Sequence, residues 1–240
     1  MKTGLARIAN HLYDHAPALH RALYARYKQW SDRAERRFLA AALRPGMTVL
    51  DIGANIGIYT EFLAGTVGAT GQVIAFEPEL RNFERLGKAT RALPQVRVVR
   101  AAVGRRNGTL TLYVADDLNV DHRTYDAGDT TRRPVDVPVV SLDDFLPADA
   151  PVDAVKMDIQ GAELDALKGA RRLLSQSAPL TMLLEFWPYG LTRSGATPSA
   201  LIELMTNYGL SVRPLDPRQS LASLDPENPE HYVNIIAVRG

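Results

Sequence analysis

A chain of 240 residues, 46% of them hydrophobic, suits one α/β domain with additional elements, and its apolar runs stay below the ~18 residues that a membrane-spanning helix needs. Its 28 basic and 27 acidic residues leave a net charge of +1, which provides no electrostatic basis for binding nucleic acid. The absence of cysteine excludes disulfides, metal–thiolate sites and a thiol nucleophile, and we expect a cytoplasmic protein without membrane partners.

The first segment, residues 1–45, is predicted to be a helical extension that precedes an α/β domain over residues 46–240. Its first helix has a stripe of large apolar side chains, namely Leu19, Leu23, Tyr27 and Trp30. A second helix, capped by Ser31 or Asp32, should end at Arg44-Pro45-Gly46. The extension is either a packed appendage or a cover over a ligand cleft, and the aromatic stripe favours a cover.

A strand, a glycine-containing turn and a helix follow one another at the start of the domain. Thr48 to Ile52 is a short apolar run of β-formers, which predicts a buried strand. Gly53 and Gly57 allow a sharp turn and a close approach to a ligand, and the pattern after Ile56 is helical. Such a unit is either an ordinary β-to-α turn or a binding site for a nucleotide-like ligand.

A second strand, Gln72 to Phe76, ends at Glu77. Glu77 lies about 20 residues beyond Gly57, which is the spacing at which an acid reaches the hydroxyls of a ribose. A carboxylate suits this task because it accepts from two neighbouring hydroxyls at once. We therefore predict that Glu77 binds ribose, whereas taken alone it would be a solvated cap.

The glycine pattern decides between cofactors. A dinucleotide fingerprint needs G-x-G-x-x-G, but Asn55 and Ile58 stand where two of the three glycines should be. The form D-x-G-x-N-x-G, beginning at Asp51, resembles motif I of class I S-adenosylmethionine-dependent methyltransferases. Further stretches occur in the order seen in the FkbM-type family of these enzymes, from residue 47 to residue 187: "DIGANIGIYT", "IAFEPELRNFERL", "VRVVRAAVGRRNGTLTLYV", "VPVVSLDDFL", "DAVKMDIQGAELDALKGARRLL" and "LLEFWP".

The resemblance implies a Rossmann-like, doubly wound and mainly parallel sheet of seven strands, with the final strand antiparallel to its neighbours. It implies S-adenosyl-L-methionine as the cofactor. Taken together, the residues and the resemblance predict that the cofactor is bound by Asp51, Gly53, Asn55, Gly57, Tyr59, Thr60, Glu77, Ala102 and Asp158. Adenine recognition is expected from the backbone around Ala102 rather than from a side chain.

Alternating strands and helices in the rest of the domain favour the same architecture. Asn107-Gly108 predicts a hairpin between Val103 and a strand over residues 109–114. Residues 115–134 are polar and aperiodic, which is typical of a loop that is either functional or disordered. Other predicted strands cover residues 96–102, 135–140, 152–159, 180–186, 210–212 and 232–238, and helices cover 80–92, 162–174 and 198–208.

Lys156 and Asp158 are two residues apart in one strand, so their side chains share a face near the carboxyl edge of the sheet. They form either a structural ion pair or a functional unit in which Asp158 faces the methionine part of the cofactor and the acceptor. The family run K-x-D-x-E-G has Gln160 in place of its glutamate here. The substitution removes one negative charge and puts the role of that acid in doubt.

Three groups are candidates for the general base that takes the proton of a hydroxyl acceptor: His122, Glu185 and Asp158. Lys156 should lower the pKa of Asp158, which favours a positioning role for that acid. His122 is either a solvated loop residue or part of the active site; in a loop predicted to close as a lid, it starts near a useful pKa and is narrowly preferred as the base. Glu185, whose pKa desolvation should raise, is the substrate holder or the alternative base. Asp158 and Glu185 could instead hold a divalent cation, although no metal site is predicted.

We therefore predict an S-adenosylmethionine-dependent O-methyltransferase that acts on a hydroxyl of a sugar or secondary metabolite, with Trp187 and Tyr189 as flat walls for the acceptor ring. A cofactor-binding protein without turnover is the alternative that Gln160 keeps open. A nicotinamide-dependent oxidoreductase is disfavoured by the broken glycine pattern. The oligomeric state stays open between a monomer and a homo-oligomer.

Overall fold

The structure is a computed structural model, and it describes residues 13, 15–115, 122–125, 132–176 and 179–240. The strands are β1 (Thr48–Ile52), β2 (Gln72–Phe76), β3 (Val96–Val99), β4 (Ala102–Val103), β5 (Gly108–Ala115), β6 (Arg132–Val140), β7 (Ala154–Met157), β8 (Leu180–Phe186), β9 (Ser211–Pro214) and β10 (Val233–Arg239). The α-helices are α1 (Pro17–Ser31), α2 (Arg33–Ala42), α3 (Ile58–Val67), α4 (Leu80–Thr90), α5 (Leu142–Phe145), α6 (Glu163–Lys168), α7 (Arg171–Ser175), α8 (Pro188–Arg193) and α9 (Pro198–Asn207), and a 3-10 turn covers Leu221–Ser223.

Seven strands form the central sheet in the order β3-β2-β1-β7-β8-β10-β9. The first five are parallel, and β10 runs antiparallel to both β8 and β9. Strands buried on both faces need nearly continuous apolar sequences, and β1, β2, β7 and β8 have them. The predicted doubly wound, Rossmann-like fold with an antiparallel last strand is confirmed.

Helices cover both faces of this sheet, and successive strand residues contribute to opposite layers. Val49 packs in a cluster with Leu39 of α2 and Leu63 of α3. Its neighbour Leu50 belongs to the larger cluster on the other face, which includes side chains of α6, α7 and α9 such as Leu167. The carboxyl ends of the parallel strands lie between these two helical layers, at the edge of the sheet that faces α1.

Two local predictions were wrong. The stretch after β3 does not form a hairpin across Asn107, because β4 and β5 do not pair with each other. Each pairs instead with β6 in a separate three-stranded sheet, and the Asn107 Oδ1 accepts from the Ser141 N–H. The helix predicted over 162–174 is divided into α6 and α7 around Gly169, where a Cβ atom would lie 2.1 Å from the Gly104 carbonyl oxygen.

The N-terminal extension contains α1 and α2 as predicted, with α2 ending before Arg44-Pro45-Gly46. Asp32 stands at the N-cap of α2 but makes no side-chain capping bond. The four side chains of the apolar stripe of α1 are 51–69% exposed. No helix in the described part of the chain combines the length and the apolarity that crossing a bilayer requires.

Candidate functional site

A cleft opens at the carboxyl ends of β1, β2 and β7, and we call it the central cleft. Its lining includes the loop Gly53–Ile56, the acid Glu77, residues 101–103, Lys156 and residues 158–160. Of the predicted cofactor-binding residues, it contains Gly53, Asn55, Tyr59, Glu77, Ala102 and Asp158. Ligands bind at this edge in open α/β sheets, so the strand order itself assembles these groups.

Gly53 is required by the neighbouring strand as much as by a ligand. Its φ is +81°, and a Cβ atom at this position would lie 2.0 Å from the Asp158 carbonyl oxygen. The N–H groups of Gly53 and Ala54 both donate to the Phe76 carbonyl oxygen, and Asn55 also has a positive φ of 50°. The loop is therefore held between β2 and β7 and presents its outer side to the cleft.

Glu77 is buried at one end of the central cleft, with only 4% of its surface exposed. Its Oε2 accepts from the Asn55 N–H at 2.8 Å, and its Oε1 accepts from the Glu79 N–H at 3.0 Å. Burial raises the pKa of Glu77 to about 7, and these two N–H groups oppose the rise. Because each carboxylate oxygen has a second lone pair, Glu77 can still accept from two hydroxyl groups.

Three of the predicted cofactor-binding residues do not line the central cleft, namely Asp51, Gly57 and Thr60. Asp51 is fully buried, and its Oδ2 accepts from Thr60 Oγ1 at 2.7 Å. Its Oδ1 lies 3.7 Å from the Lys156 Nζ, which also donates to the Gly53 carbonyl oxygen at 3.3 Å. Burial raises the pKa of Asp51, and the charge of Lys156 opposes this rise. Asp51 and Thr60 thus fix the position of Lys156, which in turn contacts the glycine loop.

At the other end of the cleft, Gln160 connects the two acids that the sequence singled out. Its Nε2 donates to Asp158 Oδ1 and to Glu185 Oε2, both at 2.9 Å. Lys156 Nζ lies 4.0 Å from Asp158 Oδ2. Burial, and then the charge of Asp158, raises the pKa of Glu185 well above its ordinary value. The structure therefore brings together Lys156, Asp158 and Glu185, with an amide between the two carboxyl groups.

Glu163 is a site residue whose role sequence reasoning did not identify. Its side chain is fully buried, and its Oε1 accepts from the N–H groups of Ile159 and Gly161, both at 3.2 Å. Burial raises its pKa to about 7. These bonds hold the turn on which Gln160 sits with a φ of +56°. The signal available in the sequence for this role was the position of Glu163, two residues after the glycine of the K-x-D-x-E-G run.

His122 lies elsewhere in the central cleft, over the start of α4. Its Nδ1 accepts from the Ala115 N–H at 3.3 Å, and its Nε2 lies 3.2 Å from the Nδ2 of Asn82. Asn82 in turn donates its own N–H to Glu79, next to the turn that holds Glu77. His122 is thus placed at the Glu77 end, whereas Glu185 lies beyond the opposite end. Most of the predicted lid around it, residues 116–121 and 126–131, lies outside the described residues.

The helix α1 contributes two side chains to the central cleft, Tyr24 and Lys28. They lie on a different side of the helix from Leu19, Leu23 and Trp30, so the periodicity of the apolar residues did not point to them. Burial raises the pKa of the Tyr24 hydroxyl to about 12. Lys28 is also ion-paired with Asp32 at 2.5 Å.

A second cavity, which we call the side cavity, joins the central cleft between α1, β8 and β10. The two share Lys28, Tyr59, Lys156 and Asp158. Its remaining lining comes from residues 183–185 and Met157 of the sheet, Tyr232 and Asn234 near β10, and Tyr27, Ser31, Asp32 and Glu35 of the extension. Trp187 does not provide an open wall: it is 5% exposed and its Nε1 donates to the Pro229 carbonyl oxygen.

Comparison with known proteins gives a family match over most of the domain. The family model described as the methyltransferase FkbM domain matches residues 51–212. The 2-O-methyltransferase NoeI of Sinorhizobium fredii is 24% identical over 163 residues, which cover 60% of this chain and 66% of that protein. The alignment therefore spans slightly less than two thirds of that relative.

Comparison with solved structures shows the same fold in one case, at low sequence identity. A proposed rRNA methylase of Clostridium thermocellum superposes with a TM-score of 0.50 and 15% identity, covering 86% of this chain and 94% of that one. Aeropyrum pernix fibrillarin with natively bound S-adenosyl-L-methionine gives a TM-score of 0.48 and 13% identity, covering 82% of this chain and 68% of that one. At 15% identity, the likeness to the rRNA methylase shows a shared fold and does not extend to its substrate.

Proposed function

This chain belongs to the FkbM family of S-adenosylmethionine-dependent methyltransferases, and we propose that it methylates a hydroxyl oxygen of a small acceptor such as a sugar or secondary metabolite. The observation that supports this most directly is the junction of two cavities at Asp158. The central cleft has the chemistry of a cofactor site, and the half-buried Glu185 lines the side cavity, through which we propose that the acceptor enters.

The residues of the central cleft fit the cofactor. Glu77 offers carboxylate lone pairs for the two ribose hydroxyls, since its backbone donors use only one lone pair of each oxygen. Phe76, Ala102 and Leu112 provide an apolar surface for the adenine at the same end. Asp158 at the other end, held by Lys156, offers a carboxylate for the amino group of the methionine part. When bound, S-adenosylmethionine supplies a methyl group that its sulfonium charge activates for in-line attack.

On the acceptor side, the chain has to align a hydroxyl and remove its proton. We assign proton removal to Glu185 because its raised pKa gives its carboxylate a high affinity for a proton. Gln160 Nε2 donates to Oε2 of Glu185, which leaves Oε1 to take the proton. Lys156 and Gln160 position Asp158, which borders both cavities.

His122, the base preferred from the sequence, is less suited to this task in the observed arrangement. The Ala115 N–H occupies one of its ring nitrogens, and the ring lies at the ribose end of the cleft. We therefore propose that His122 helps to close the cofactor site.

The test is methyl transfer from isotopically labelled S-adenosylmethionine to a library of glycosides and hydroxylated metabolites, followed by mass spectrometry of the products. We expect a product labelled on oxygen. Glu185→Gln should lower kcat by ~10²–10⁴ while cofactor affinity stays intact. His122→Ala should instead weaken cofactor binding and leave kcat at saturating cofactor close to that of the wild type. A protein that binds the cofactor but methylates nothing would be a binding protein, and the reverse pattern in the two variants would exchange their roles.

A further inference from the structure

The side cavity has a wall that lies outside the family match. Residues 51–212 supply its floor, which includes Asp158 and Glu185. The rest of the lining includes Tyr27, Ser31 and Glu35 of the extension, Tyr232 just before β10, and Asn234 in β10. The N-terminal helices and the β10 edge, which both lie outside the matched residues, therefore line one cavity at the Asp158 end of the central cleft.

We propose that this side cavity is the acceptor site and that it selects neutral, polyhydroxylated rings over anionic ones. The inference rests on the proposed function, because it names the acceptor class of the same site. It assigns specificity to the N-terminal helices and to the β10 edge, whereas the matched domain supplies the cofactor site and the base.

Charge is the first argument. Four carboxyl groups line the cavity, those of Asp32, Glu35, Asp158 and Glu185, against two ammonium groups, those of Lys28 and Lys156. Both ammonium groups are already paired with acids, Lys28 with Asp32 at 2.5 Å and Lys156 with Asp51 and Asp158 at 3.7 and 4.0 Å. A phosphate or carboxylate on the acceptor would therefore meet more acids than cations, and each cation among the described lining residues is already paired with an acid.

Hydrogen-bonding capacity is the second argument. Glu35 Oε1 accepts from Asn234 Nδ2 at 2.6 Å, while its Oε2 has no partner among the residues that the structure describes. In the antiparallel register, Asn234 lies directly opposite Glu185, so both side chains share one face of the sheet. Carboxylate oxygens are acceptors only, and hydroxyl groups are the donors that would satisfy them without adding charge.

Shape is the third argument. Tyr27 and Tyr232 line the cavity and are 58% and 55% exposed, so each presents part of an aromatic ring to it. Aromatic faces provide large apolar contact area with little conformational cost, which suits the C–H face of a sugar ring. Acceptor hydroxyls would then point to the acids, and the ring faces would lie against the tyrosines.

The experiment measures binding separately from methyl transfer. Methyl glycosides of glucose, galactose and mannose are each compared with the glycoside of the matching uronic acid, which has the same ring and one negative charge. Binding to the full chain saturated with S-adenosylhomocysteine is followed by saturation-transfer NMR. We expect at least one neutral glycoside to bind, with its uronide at least tenfold weaker. Uronides that bind as well as the neutral rings, or the absence of binding by every neutral glycoside, would overturn the proposal.

Two variants and a matched control locate the site. Tyr27→Ala and Tyr232→Ala should each weaken glycoside binding at least fivefold. Trp30→Ala, on the same helix but 69% exposed and outside the cavity lining, should bind like the wild type. All three should keep their affinity for S-adenosylhomocysteine. If the tyrosine variants bind glycosides as the wild type does, the side cavity is not the acceptor site, whether or not methyl transfer occurs. If the wild type binds neutral glycosides but transfers no methyl group to them, only the proposed function is contradicted.

Discussion

Gln160 has a backbone conformation that few residues other than glycine adopt, and its contacts account for it. A φ of +56° costs on the order of 1 kcal/mol or more, and such strain persists where the surroundings fix it. Glu163 holds the flanking N–H groups, and the Gln160 amide joins Asp158 to Glu185. The glutamine thus does what a glutamate could not do in its ionised form, since it donates to both carboxylates.

Gln160→Gly tests this bridge. Glycine adopts the positive φ without strain, so the free energy of unfolding should stay within about 1 kcal/mol of the wild-type value or rise. Without the amide, Asp158 and Glu185 lose their common donor, and kcat should fall by about 10- to 100-fold. Urea unfolding and steady-state kinetics would measure the two effects. A variant with wild-type kcat would show that the bridge positions nothing.

Glu77 is the second residue whose role can be measured directly. Glu77→Ala removes the acceptor of two backbone N–H groups and the proposed partner of the ribose. Cofactor binding should weaken by ~1–3 kcal/mol in calorimetry, because the ribose hydroxyls lose their partner. Glu203→Ala, at an exposed position of α9, is the control and should bind normally. Equal affinities in both variants would remove Glu77 from the ribose site.

At the scale of elements, the sequence predicted best where one pattern has one structural solution. The β1–turn–α3 unit and β2 were predictable because buried strands and a glycine turn have distinct signatures. The β4–β5 hairpin was not, because a turn signal does not show which strands pair, and β6 pairs with both. The stripe of α1 was informative only in part, because periodicity finds an apolar face but does not show whether that face is buried. Tyr27 of the stripe lines the side cavity, whereas Tyr24 and Lys28, which periodicity did not indicate, line the central cleft.

The position of α1 makes a prediction about its dynamics. Because Tyr24 and Lys28 line the central cleft, a bound cofactor should restrain the helix. Amide hydrogen exchange in residues 20–31 should slow when S-adenosylhomocysteine is added, whereas exchange in α9, which packs on the far layer, should change little. Equal exchange in α1 with and without ligand would show that the helix does not take part in cofactor binding.

At the scale of the whole molecule, the fold buries acids around the edge where its cavities open. Glu77 and Glu163 are both buried, and burial raises the pKa of each from 4.5 to about 7. A group whose pKa is higher in the folded state binds its proton more tightly there than in the unfolded chain. Its stabilising contribution is complete below the unfolded pKa and is lost as the pH rises through the folded pKa. The free energy of unfolding should therefore decrease between about pH 4.5 and pH 7.

Glu163→Gln isolates the part of this decrease that belongs to one side chain. The amide keeps an oxygen that can accept from the N–H groups of Ile159 and Gly161, but it does not ionise. Relative to the wild type, the variant should gain stability between pH 5 and pH 8, by up to roughly 3 kcal/mol at ~1.4 kcal/mol per pKa unit. Urea unfolding across this range measures the difference, and Glu203→Gln at its exposed position should show no such gain. A stability difference that stays constant with pH would mean that Glu163 ionises in the folded protein as readily as it does in water, and that its hydrogen bonds to the turn, rather than its burial, determine its proton affinity.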